Sequence, residues 1–271
     1  MANETVAGIA PIAVVVAMES ELQHLLRRVA PVREVLDGPW RDRFVMAGEV
    51  PLVALGCGIG MVNAAAGTEH VIGRYGPRAV FNFGCVGAHR RDILPGDVII
   101  GSGAVNHGAV HFLHDGSEYF PGQEYQFAGE TVALTELTTD RDLREATIAA
   151  AEGWSPEPWP RGLNLPPDIE QRSPETHVGR VGSADQWTQA HPRLDMLHGR
   201  HGTLCEDMEA AAIAQVCARH SVPFMTVKDV SNNEYHVLTE LVGEIDVLPA
   251  EEVGRRSAAL VLRALERMGT R

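Results

Sequence analysis

Long hydrophobic runs, excess positive charge and clustered cysteines are all missing from this sequence of 271 residues. No apolar run reaches the 18 or so residues of a membrane helix, so we expect no membrane span. The net charge of −13 makes a nucleic-acid backbone a poor partner. The four cysteines lie far apart without metal-ligand spacing, which is typical of a reduced, cytoplasmic protein. The apolar run before Glu19 has no basic residues ahead of it and predicts a buried strand instead of a signal peptide.

Common cofactor and catalytic motifs are absent as well. The glycine-rich stretch Gly56 to Gly60 is not followed by Lys-Ser or Lys-Thr, which excludes a P-loop. Its spacing is not GxGxxG, and no GxSxG nucleophile elbow occurs. Among the 12 histidines, His107, His111 and His114 come nearest to a cluster, but no carboxylate motif accompanies them. We therefore expect neither a metal nor a cofactor, and we expect these histidines to line a loop or an interface.

What the sequence does contain is an alternation of apolar strand patterns with helical ones. The main predicted strands and helices are, in chain order, Ile12 to Ala17, Glu19 to Val29, a hairpin of Phe44 to Ala47 with Val50 to Leu55, Met61 to Tyr75, Ala79 to Phe83, Val98 to Ile100, a strand from Val178, Ala210 to Cys217, Pro223 to Val230 and Pro249 to Met268. This order predicts a single α/β domain over residues 1–271, a three-layer α/β/α sandwich with a central mixed β-sheet. The six prolines between residues 154 and 174 predict a surface excursion from that domain.

Three carboxylates within four positions mark the segment before the helix at Ala210. They belong to Glu206, Asp207 and Glu209. One interpretation is that they complement the positive end of the helix dipole. The other is that they form a site in which mutual repulsion raises at least one pKa. The residues that follow the other predicted strands favour the second interpretation, a site.

Acids, small residues, an aromatic ring and amides follow four of the predicted strands. These segments are residues 18–21, 84–87, 183–187 and 231–233. Ligands of open α/β sheets bind at the carboxyl ends of the strands, so we expect the four segments to converge on one site.

Six motifs carry a family resemblance. In order they are AMESE at residue 17, GCGIGMVNAAAG at 56, FNFGCVGA at 81 with PGD at 95, GSADQW at 182, EDMEAAAIAQVC at 206 and VPFMTVKDVSN at 222. Together they resemble the nucleoside phosphorylase/nucleosidase superfamily, and most of all its methylthioadenosine/S-adenosylhomocysteine nucleosidase branch. The resemblance implies a three-layer fold, a small-molecule nucleoside substrate and a homodimer in which a partner loop closes the site.

The resemblance also implies roles for individual residues. Glu21 corresponds to the acid that positions and deprotonates the attacking water, and Glu209 to the acid that binds the ribose hydroxyls. Trp187 stacks on the purine, and Lys228 stands where relatives often carry Arg as a counter-charge. The full set of expected substrate contacts is Met18, Cys85, Val86, Gly87, Asp185, Trp187, Asp207, Met208, Lys228 and Ser231. Glu206 is interpreted as a charge at the start of the helix.

Asn232 departs from the pattern of the adenine nucleosidases, which place there the Asp that protonates N7 of the base. An amide can donate a hydrogen bond but cannot act as a general acid. One explanation is a 6-oxopurine leaving base, because futalosine hydrolases, which release hypoxanthine, resemble this chain in their Ser-Asn pair. A second is an inactive variant. A third is that Asp185, Asp207 or Asp229 supplies the proton.

The expected activity is hydrolysis of the N-ribosyl bond of a 5′-modified purine nucleoside, with Glu21, Glu209 and Asn232 as catalytic residues. Two alternatives remain open: a phosphate-dependent phosphorylase, for which Arg74 or Arg90 would bind phosphate, and a nucleoside-binding relative with impaired catalysis. His107 and the segment at 119–121 belong, by resemblance, to the stretch that reaches the neighbouring subunit. The sequence leaves the base and the 5′ substituent undecided.

Overall fold

Strands and helices alternate along the part of the chain described by the computed structural model, which comprises residues 9–127, 129–134, 136–161, 163, 172–236 and 249–269. The strands are β1 (Ile12–Val16), β2 (Ala30–Asp37), β3 (Trp40–Ala47), β4 (Val50–Gly56), β5 (Ala79–Ala88), β6 (Val98–Asn106), β7 (His111–Phe112), β8 (Glu118–Tyr119), β9 (Gln123–Phe127), β10 (Glu130–Leu134), β11 (Glu136–Thr138), β12 (Thr176–Ser183), β13 (Thr203–Asp207) and β14 (Phe224–Asn232). The helices are α1 (Glu19–Leu26), α2 (Met61–Tyr75), α3 (Arg141–Ala151), α4 (His191–His201), α5 (Ala210–Arg219) and α6 (Arg255–Gly269).

Ten of these strands form one mixed sheet. Its order is β11-β6-β12-β13-β5-β1-β4-β3-β2, and β14 pairs with both β5 and β6. Strands β4, β1, β5 and β14 run parallel, whereas β13 meets β5 in antiparallel orientation. Because β14 bridges β5 and β6, the five strands β5, β14, β6, β12 and β13 close into a ring at one end of the sheet.

Two apolar cores lie on opposite faces of the sheet. Strand β1 is buried along its whole length and points alternate side chains into each core, as expected for a strand covered on both faces. Its Ala13 and Val15 face the core that contains α2 and α5, while Ile12, Val14 and Val16 face the core of α1, α3 and α6. The predicted three-layer α/β/α sandwich with a mixed sheet is confirmed.

Some predicted boundaries are wrong. The last helix begins at Arg255 and not at Pro249, since Gly254 adopts a left-handed backbone with φ of +77° that interrupts helical geometry. Strand β5 continues through the glycine-rich segment 84–87, because β14 and β13 supply hydrogen-bonding partners there. Glu206 and Asp207 lie on β13 instead of opening α5, so the interpretation of Glu206 as a helix-start charge is wrong.

The described part of the proline-rich excursion packs against the sandwich. Trp159 is buried, and the guanidinium of Arg256 lies 4.9 Å from the centre of its ring. Arg256 also donates hydrogen bonds to the carbonyl oxygens of Glu157 and Pro158, at 2.6 and 2.8 Å. Residues 162 and 164–171 of the predicted excursion lie outside the described residues.

Each helix within the described ranges is too short or too polar to cross a bilayer.

Candidate active site

A cavity opens where the parallel strands β1, β5 and β14 reach their carboxyl ends, beside the end of β13. It is lined by twelve of the thirteen residues expected from the sequence: Met18, Glu21, Cys85, Val86, Gly87, Trp187, Asp207, Met208, Glu209, Lys228, Ser231 and Asn232. Asp185 is not in the lining, and its carboxylate instead accepts a hydrogen bond from Met61 N at the start of α2, at 2.7 Å. The expected convergence of strand ends is therefore observed, with Asp185 displaced to the helix beside the cavity.

Glu21 is a buried carboxylate held by main-chain donors. Its side chain projects from the first turn of α1, and the residue is only 1% exposed. Cys85 N donates to Oε1 at 2.7 Å, and Met18 N donates to Oε2 at 3.3 Å. Burial raises the pKa of Glu21, although these two hydrogen bonds and the charge of Lys228 lower it in part. A carboxylate of raised pKa that faces a cavity is suited to accept a proton from water.

Two glycines make room for Glu21. A Cβ atom on Gly84 would lie 2.9 Å from Glu21 Oε1, closer than non-bonded atoms approach. A Cβ on Gly254 would lie 2.9 Å from Glu21 Cβ, and Gly254 also has the positive φ noted above. The carboxylate is thus enclosed between β5 and the start of α6.

Glu209 is the second buried carboxylate, at the N-cap of α5. Gly60 N donates to its Oε1 at 2.8 Å and Met208 N donates to its Oε2 at 3.3 Å. Burial and the adjacent charge of Asp207 raise the pKa of Glu209 to about 7. The glycine-rich turn before α2 therefore donates a main-chain hydrogen bond to a carboxylate of the protein itself. A turn of this kind can bind an anion, and here Glu209 takes the place that a phosphate would occupy.

Asp207 and Lys228 form an ion pair beneath Glu209. Lys228 Nζ lies 2.7 Å from Asp207 Oδ2, and Lys228 is 2% exposed. Burial opposes the charge on Lys228, but Asp207 and Glu209 outweigh it and raise its pKa. Asp207 also accepts hydrogen bonds from Ser183 Oγ at 2.5 Å and from the N–H groups of Glu209 and Ala210 at the start of α5. These bonds indicate that Asp207 fixes Lys228 and α5 in place.

Asn232, at the end of β14, is oriented by its neighbours. Its Nδ2 lies 2.9 Å from Glu234 Oε1, and its Oδ1 lies 2.9 Å from Ser231 Oγ. Because a carboxylate oxygen accepts and the hydroxyl can donate, these partners assign the two ends of the amide. One N–H of Asn232 therefore binds Glu234, and the described residues show no second partner for its Nδ2.

Trp187 and Thr188 are held by two different carboxylates. Trp187 Nε1 lies 3.3 Å from Glu234 Oε1. Thr188 donates to Glu206 through its main-chain N at 2.6 Å and its hydroxyl at 2.9 Å. The segment that carries the expected base-stacking ring is anchored from both sides.

Glu206 lies at the centre of a buried cluster with two histidines. His89 Nε2 and His107 Nε2 lie 3.3 and 3.4 Å from Glu206 Oε2, without the alignment of hydrogen bonds. Burial alone would raise the pKa of Glu206, but the two imidazoles lower it to about 2. His107 lies in the turn that follows β6 and is completely buried within the chain, whereas His111 on β7 is exposed.

The three aspartates that might replace a missing acid are otherwise engaged. Asp207 is paired with Lys228, and Asp185 caps α2. Asp229 is buried outside the cavity lining, where it accepts hydrogen bonds from Ser257 Oγ at 2.7 Å and Arg256 N at 3.4 Å. None of them borders Asn232 as Glu234 does.

The expected phosphate-binding arginines lie elsewhere. Arg74 pairs with Asp37 at 3.3 Å and Arg90 with Asp92 at 2.6 Å, and neither lines the cavity. Among the described lining residues, Lys228 is the only lysine or arginine, against five carboxylates, which belong to Glu21, Glu206, Asp207, Glu209 and Glu234. A search of the described ranges finds no group of three or more His, Cys, Asp or Glu side chains able to hold a metal ion.

Sequence reasoning missed Glu234 and misassigned Glu206. Glu234 sits two residues beyond Asn232, and the alternation of a strand would have placed both on the same face. Glu206 gave no such signal, because its partners His89, His107 and Thr188 are distant in the sequence and only the closed ring of strands brings them together.

Comparisons with known proteins identify the family of this chain and structures of the same fold. The family model of the Phosphorylase superfamily matches residues 11–266. The 5′-methylthioadenosine/S-adenosylhomocysteine nucleosidase of Treponema pallidum (strain Nichols) is 32% identical over 258 residues, which covers 89% of each chain. The Neisseria meningitidis nucleosidase of the same name, crystallised with methylthio-immucillin-A, has a TM-score of 0.72 and 23% identity over 96% of this chain and 100% of its own. Futalosine hydrolase of Helicobacter pylori strain 26695 has a TM-score of 0.74 and 18% identity over 97% of this chain and 100% of its own.

Proposed function

The chain belongs to the phosphorylase superfamily, and within it we propose that this protein is a hydrolase that cleaves the N-ribosyl bond of a 5′-modified purine nucleoside. The observation that carries the proposal is the acidic cavity, in which Glu21 and Glu209 are both buried. Lys228, the only lysine or arginine among its described lining residues, is already paired with Asp207. Phosphate is an anion, and five carboxylates around one neutralised cation repel it. Water is the nucleophile that such a cavity tolerates.

In the proposed mechanism Glu21 accepts a proton from a water molecule as that water attacks C1′ of the ribose. The C1′–N bond to the base breaks through a transition state with positive charge on the sugar. Glu209 accepts hydrogen bonds from the ribose hydroxyls, and its negative charge stabilises that transition state. The base leaves with its electron pair, and its nitrogen is stabilised by hydrogen bonding at Asn232.

For the base we propose a 6-oxopurine. The second N–H of Asn232 can bind O6 or N7 of such a base, whereas it cannot provide the proton that an adenine leaving group requires. Asn232→Asp tests this assignment. We expect it to shift the kcat/KM preference toward adenine nucleosides, with release of each base measured by liquid chromatography. An unchanged preference would mean that position 232 does not encode the base.

The function is tested by base release from inosine, adenosine, methylthioadenosine and futalosine, with and without phosphate. The proposal predicts release of free base that does not depend on phosphate. Turnover that requires phosphate would identify a phosphorylase instead. Release from none of the four nucleosides would support a binding protein without turnover and contradict the hydrolase.

We also propose that the protein is a homodimer in the cytoplasm. Large apolar side chains are exposed on two segments, the turn into α2 at Ile59 and Val62 and the β7–β8 hairpin at Phe112, Leu113 and Tyr119. Ile59 lines the cavity, so a partner seated there would border the site. Light scattering at micromolar concentration should give twice the 29.4 kDa chain mass, and the mass of one chain would contradict the dimer.

A further inference from the structure

We propose that two buried charged residues, Asp229 and Arg256, hold Glu21 in its catalytic position by fixing the start of α6 against α1. This role rests on the proposed function, in which Glu21 accepts a proton from water. Neither Asp229 nor Arg256 lines the cavity, and the proposed mechanism uses neither of them.

Both residues are almost completely removed from solvent. Asp229 and Arg256 are each 1% exposed. Burial of a charged side chain is unfavourable unless hydrogen bonds and counter-charges compensate for the loss of water. Apolar side chains of similar volume often fill such a space without loss of stability. Two buried charges next to the strands of the site therefore indicate that a particular geometry is required there.

Asp229 joins β14 to the first turn of α6. Its Oδ1 accepts a hydrogen bond from Ser257 Oγ at 2.7 Å, and its Oδ2 accepts one from Arg256 N at 3.4 Å. The first N–H groups of a helix lack partners within that helix, and a carboxylate is favoured beside them. On β14, Asp229 stands opposite Cys85 of β5, whose main-chain N donates to Glu21. Asp229 thus connects the strands that contact Glu21 with the start of α6.

The segment before α6 packs along the face of α1 that carries Glu21. His24 lies on this face, three positions after Glu21, and its Nε2 is 3.3 Å from the carbonyl oxygen of Ala250. Gly254 approaches so closely that an added Cβ would lie 2.9 Å from both Cβ and Cγ of Glu21. The position of residues 250–254 therefore limits where α1 can place the Glu21 carboxylate.

Arg256 ties the same helix start to the proline-rich excursion. It donates to the carbonyl oxygens of Glu157 and Pro158 and to Glu252 Oε2, at 2.6, 2.8 and 2.8 Å. Its guanidinium also lies 4.9 Å from the centre of the buried Trp159 ring. The start of α6 is thus held by β14 through Asp229 and by the excursion through Arg256.

The alternative is that Asp229 and Arg256 stabilise the fold without a particular effect on Glu21. The two roles differ in how their loss combines with the loss of the Glu21 carboxylate. A variant that merely weakens the fold lowers the activity of Glu21→Gln by the same factor as that of the wild type. A positioning residue has nothing left to position once Glu21 is replaced, so its effect disappears in that background.

Two variants loosen the start of α6 in different ways. Asp229→Ala removes the acceptor at the first turn, and Arg256→Leu removes the bonds to the excursion. We expect each to lower kcat by about 10- to 100-fold while KM changes by less than about threefold, because the contacts with substrate remain. In the Glu21→Gln background we expect either substitution to lower kcat by less than about twofold.

Steady-state kinetics measures both constants, with single-turnover reactions for the slowest variants. The substrate is whichever of inosine, adenosine, methylthioadenosine and futalosine the wild type cleaves fastest. Arg263→Leu is the matched control, because Arg263 lies roughly 10 Å further along α6 than Arg256 and donates to the carbonyl oxygen of Ala150 at 3.0 Å. It loses the same kind of bond from the same helix and should leave kcat and KM unchanged.

Hydrogen–deuterium exchange of the Cys85 amide reports the position of Glu21 without substrate. Cys85 N donates to Glu21 Oε1, so displacement of the carboxylate releases this N–H. We expect exchange at Cys85 to be at least about tenfold faster in Asp229→Ala and Arg256→Leu than in the wild type, and unchanged in Arg263→Leu. Either of the first two variants is sufficient if the other does not fold.

An equal fall in kcat when Arg256→Leu is added to the wild type and to Glu21→Gln would overturn the positioning role. So would wild-type kcat together with wild-type exchange at Cys85 in both variants. Failure of the proposed function is distinguishable, because exchange is measured without turnover. Faster exchange at Cys85 with no base release from any nucleoside would uphold the positioning of Glu21 and contradict the hydrolase.

Discussion

Burial decides what each carboxylate of the cavity can do. Glu206 accepts hydrogen bonds from Thr188 and lies beside His89 and His107, and Asp207 is paired with Lys228, so these two acids hold the site together. Glu21 and Glu209 have no such ion-pair partner among the described residues of the cavity lining, and burial raises the pKa of both. The two groups that are costly to ionise are the two to which the chemistry is assigned, as expected of a functional site.

Glu21→Gln should lower kcat by about 10²- to 10⁴-fold while KM changes little, because an amide keeps the shape of the side chain but cannot accept the proton of water. Steady-state kinetics on the best nucleoside of the panel measures this. The control is Glu19→Gln, two positions earlier on α1, whose exposed side chain pairs with Arg43 outside the cavity lining. Full activity of Glu21→Gln would show that Glu21 is not the base.

Glu209→Gln should stabilise the unliganded protein at pH 7 while it removes most activity. The folded pKa of about 7 exceeds the ordinary value of 4.5, so the folded state binds this proton more tightly than the unfolded state. The contribution of Glu209 to stability therefore falls as pH rises from 4.5 to about 7. Because Gln does not titrate, Glu209→Gln avoids this loss. We expect its free energy of unfolding to exceed that of the wild type by about 1–3 kcal/mol at pH 7 and to equal it near pH 4.

Urea unfolding of wild type and Glu209→Gln at pH 4.5, 6 and 7.5 measures this difference. A wild type that is more stable than Glu209→Gln at pH 7.5 would contradict the raised pKa. Kinetics should show the matching acidic limb, with kcat/KM falling as pH decreases through the pKa values of Glu21 and Glu209.

At the scale of elements, the site depends on how closely β5 approaches α1. Gly84 lies on β5 directly beneath the Glu21 carboxylate, with no space for a side chain. Antiparallel pairing of β13 with β5 then brings Glu206 opposite Gly87 and places Glu209 next to the glycine-rich turn. The geometry of two strands, more than any loop, sets the distance between the two acids.

Gly84→Ala should lower kcat by about 10- to 100-fold, because the added Cβ displaces the Glu21 carboxylate from Cys85 N. Gly73→Ala on α2 is the matched control, since a Cβ there meets nothing within 4 Å. That control should keep full activity and gain about 0.5–1 kcal/mol from helix propensity. Equal activity of the two variants would mean that the close approach of β5 to Glu21 is unimportant.

Periodicity in the sequence was sufficient to predict most elements and the edge of the sheet at which the site lies. Helix α2 matches its predicted bounds of Met61 and Tyr75, and β1 and β4 differ from prediction by a residue at one end. Strand β13 was missed because its acids resemble a helix start, and pairing with β12 and β5 overrides that local signal. The contacts of Glu206, and those of Glu234 with Trp187 and Gln189, join residues far apart in the chain, which no local pattern encodes.

At the scale of the whole molecule, the two cores share the strands between them. Alternate residues of β1 contribute to both, so neither core retains its packing if the other opens. We expect thermal unfolding in one cooperative transition, with far-UV circular dichroism and the fluorescence of the four tryptophans changing together. Two transitions separated by several degrees would contradict a single domain.

The acidity of the site matches the charge of the whole chain. The overall net charge of −13 and the excess of carboxylates in the cavity both oppose an anionic nucleophile and leave water as the attacking group. Asn232, the residue proposed to contact the base, lies at the far end of β14.

The central claim is phosphate-independent hydrolysis directed at a 6-oxopurine. It is tested most directly by kcat/KM of the wild type for two nucleosides that differ only in the base, 5′-methylthioinosine and 5′-methylthioadenosine, in buffer free of phosphate. We predict release of hypoxanthine with a kcat/KM at least about 100-fold higher than that for release of adenine. Faster release of adenine, or no release until phosphate is added, would contradict the account.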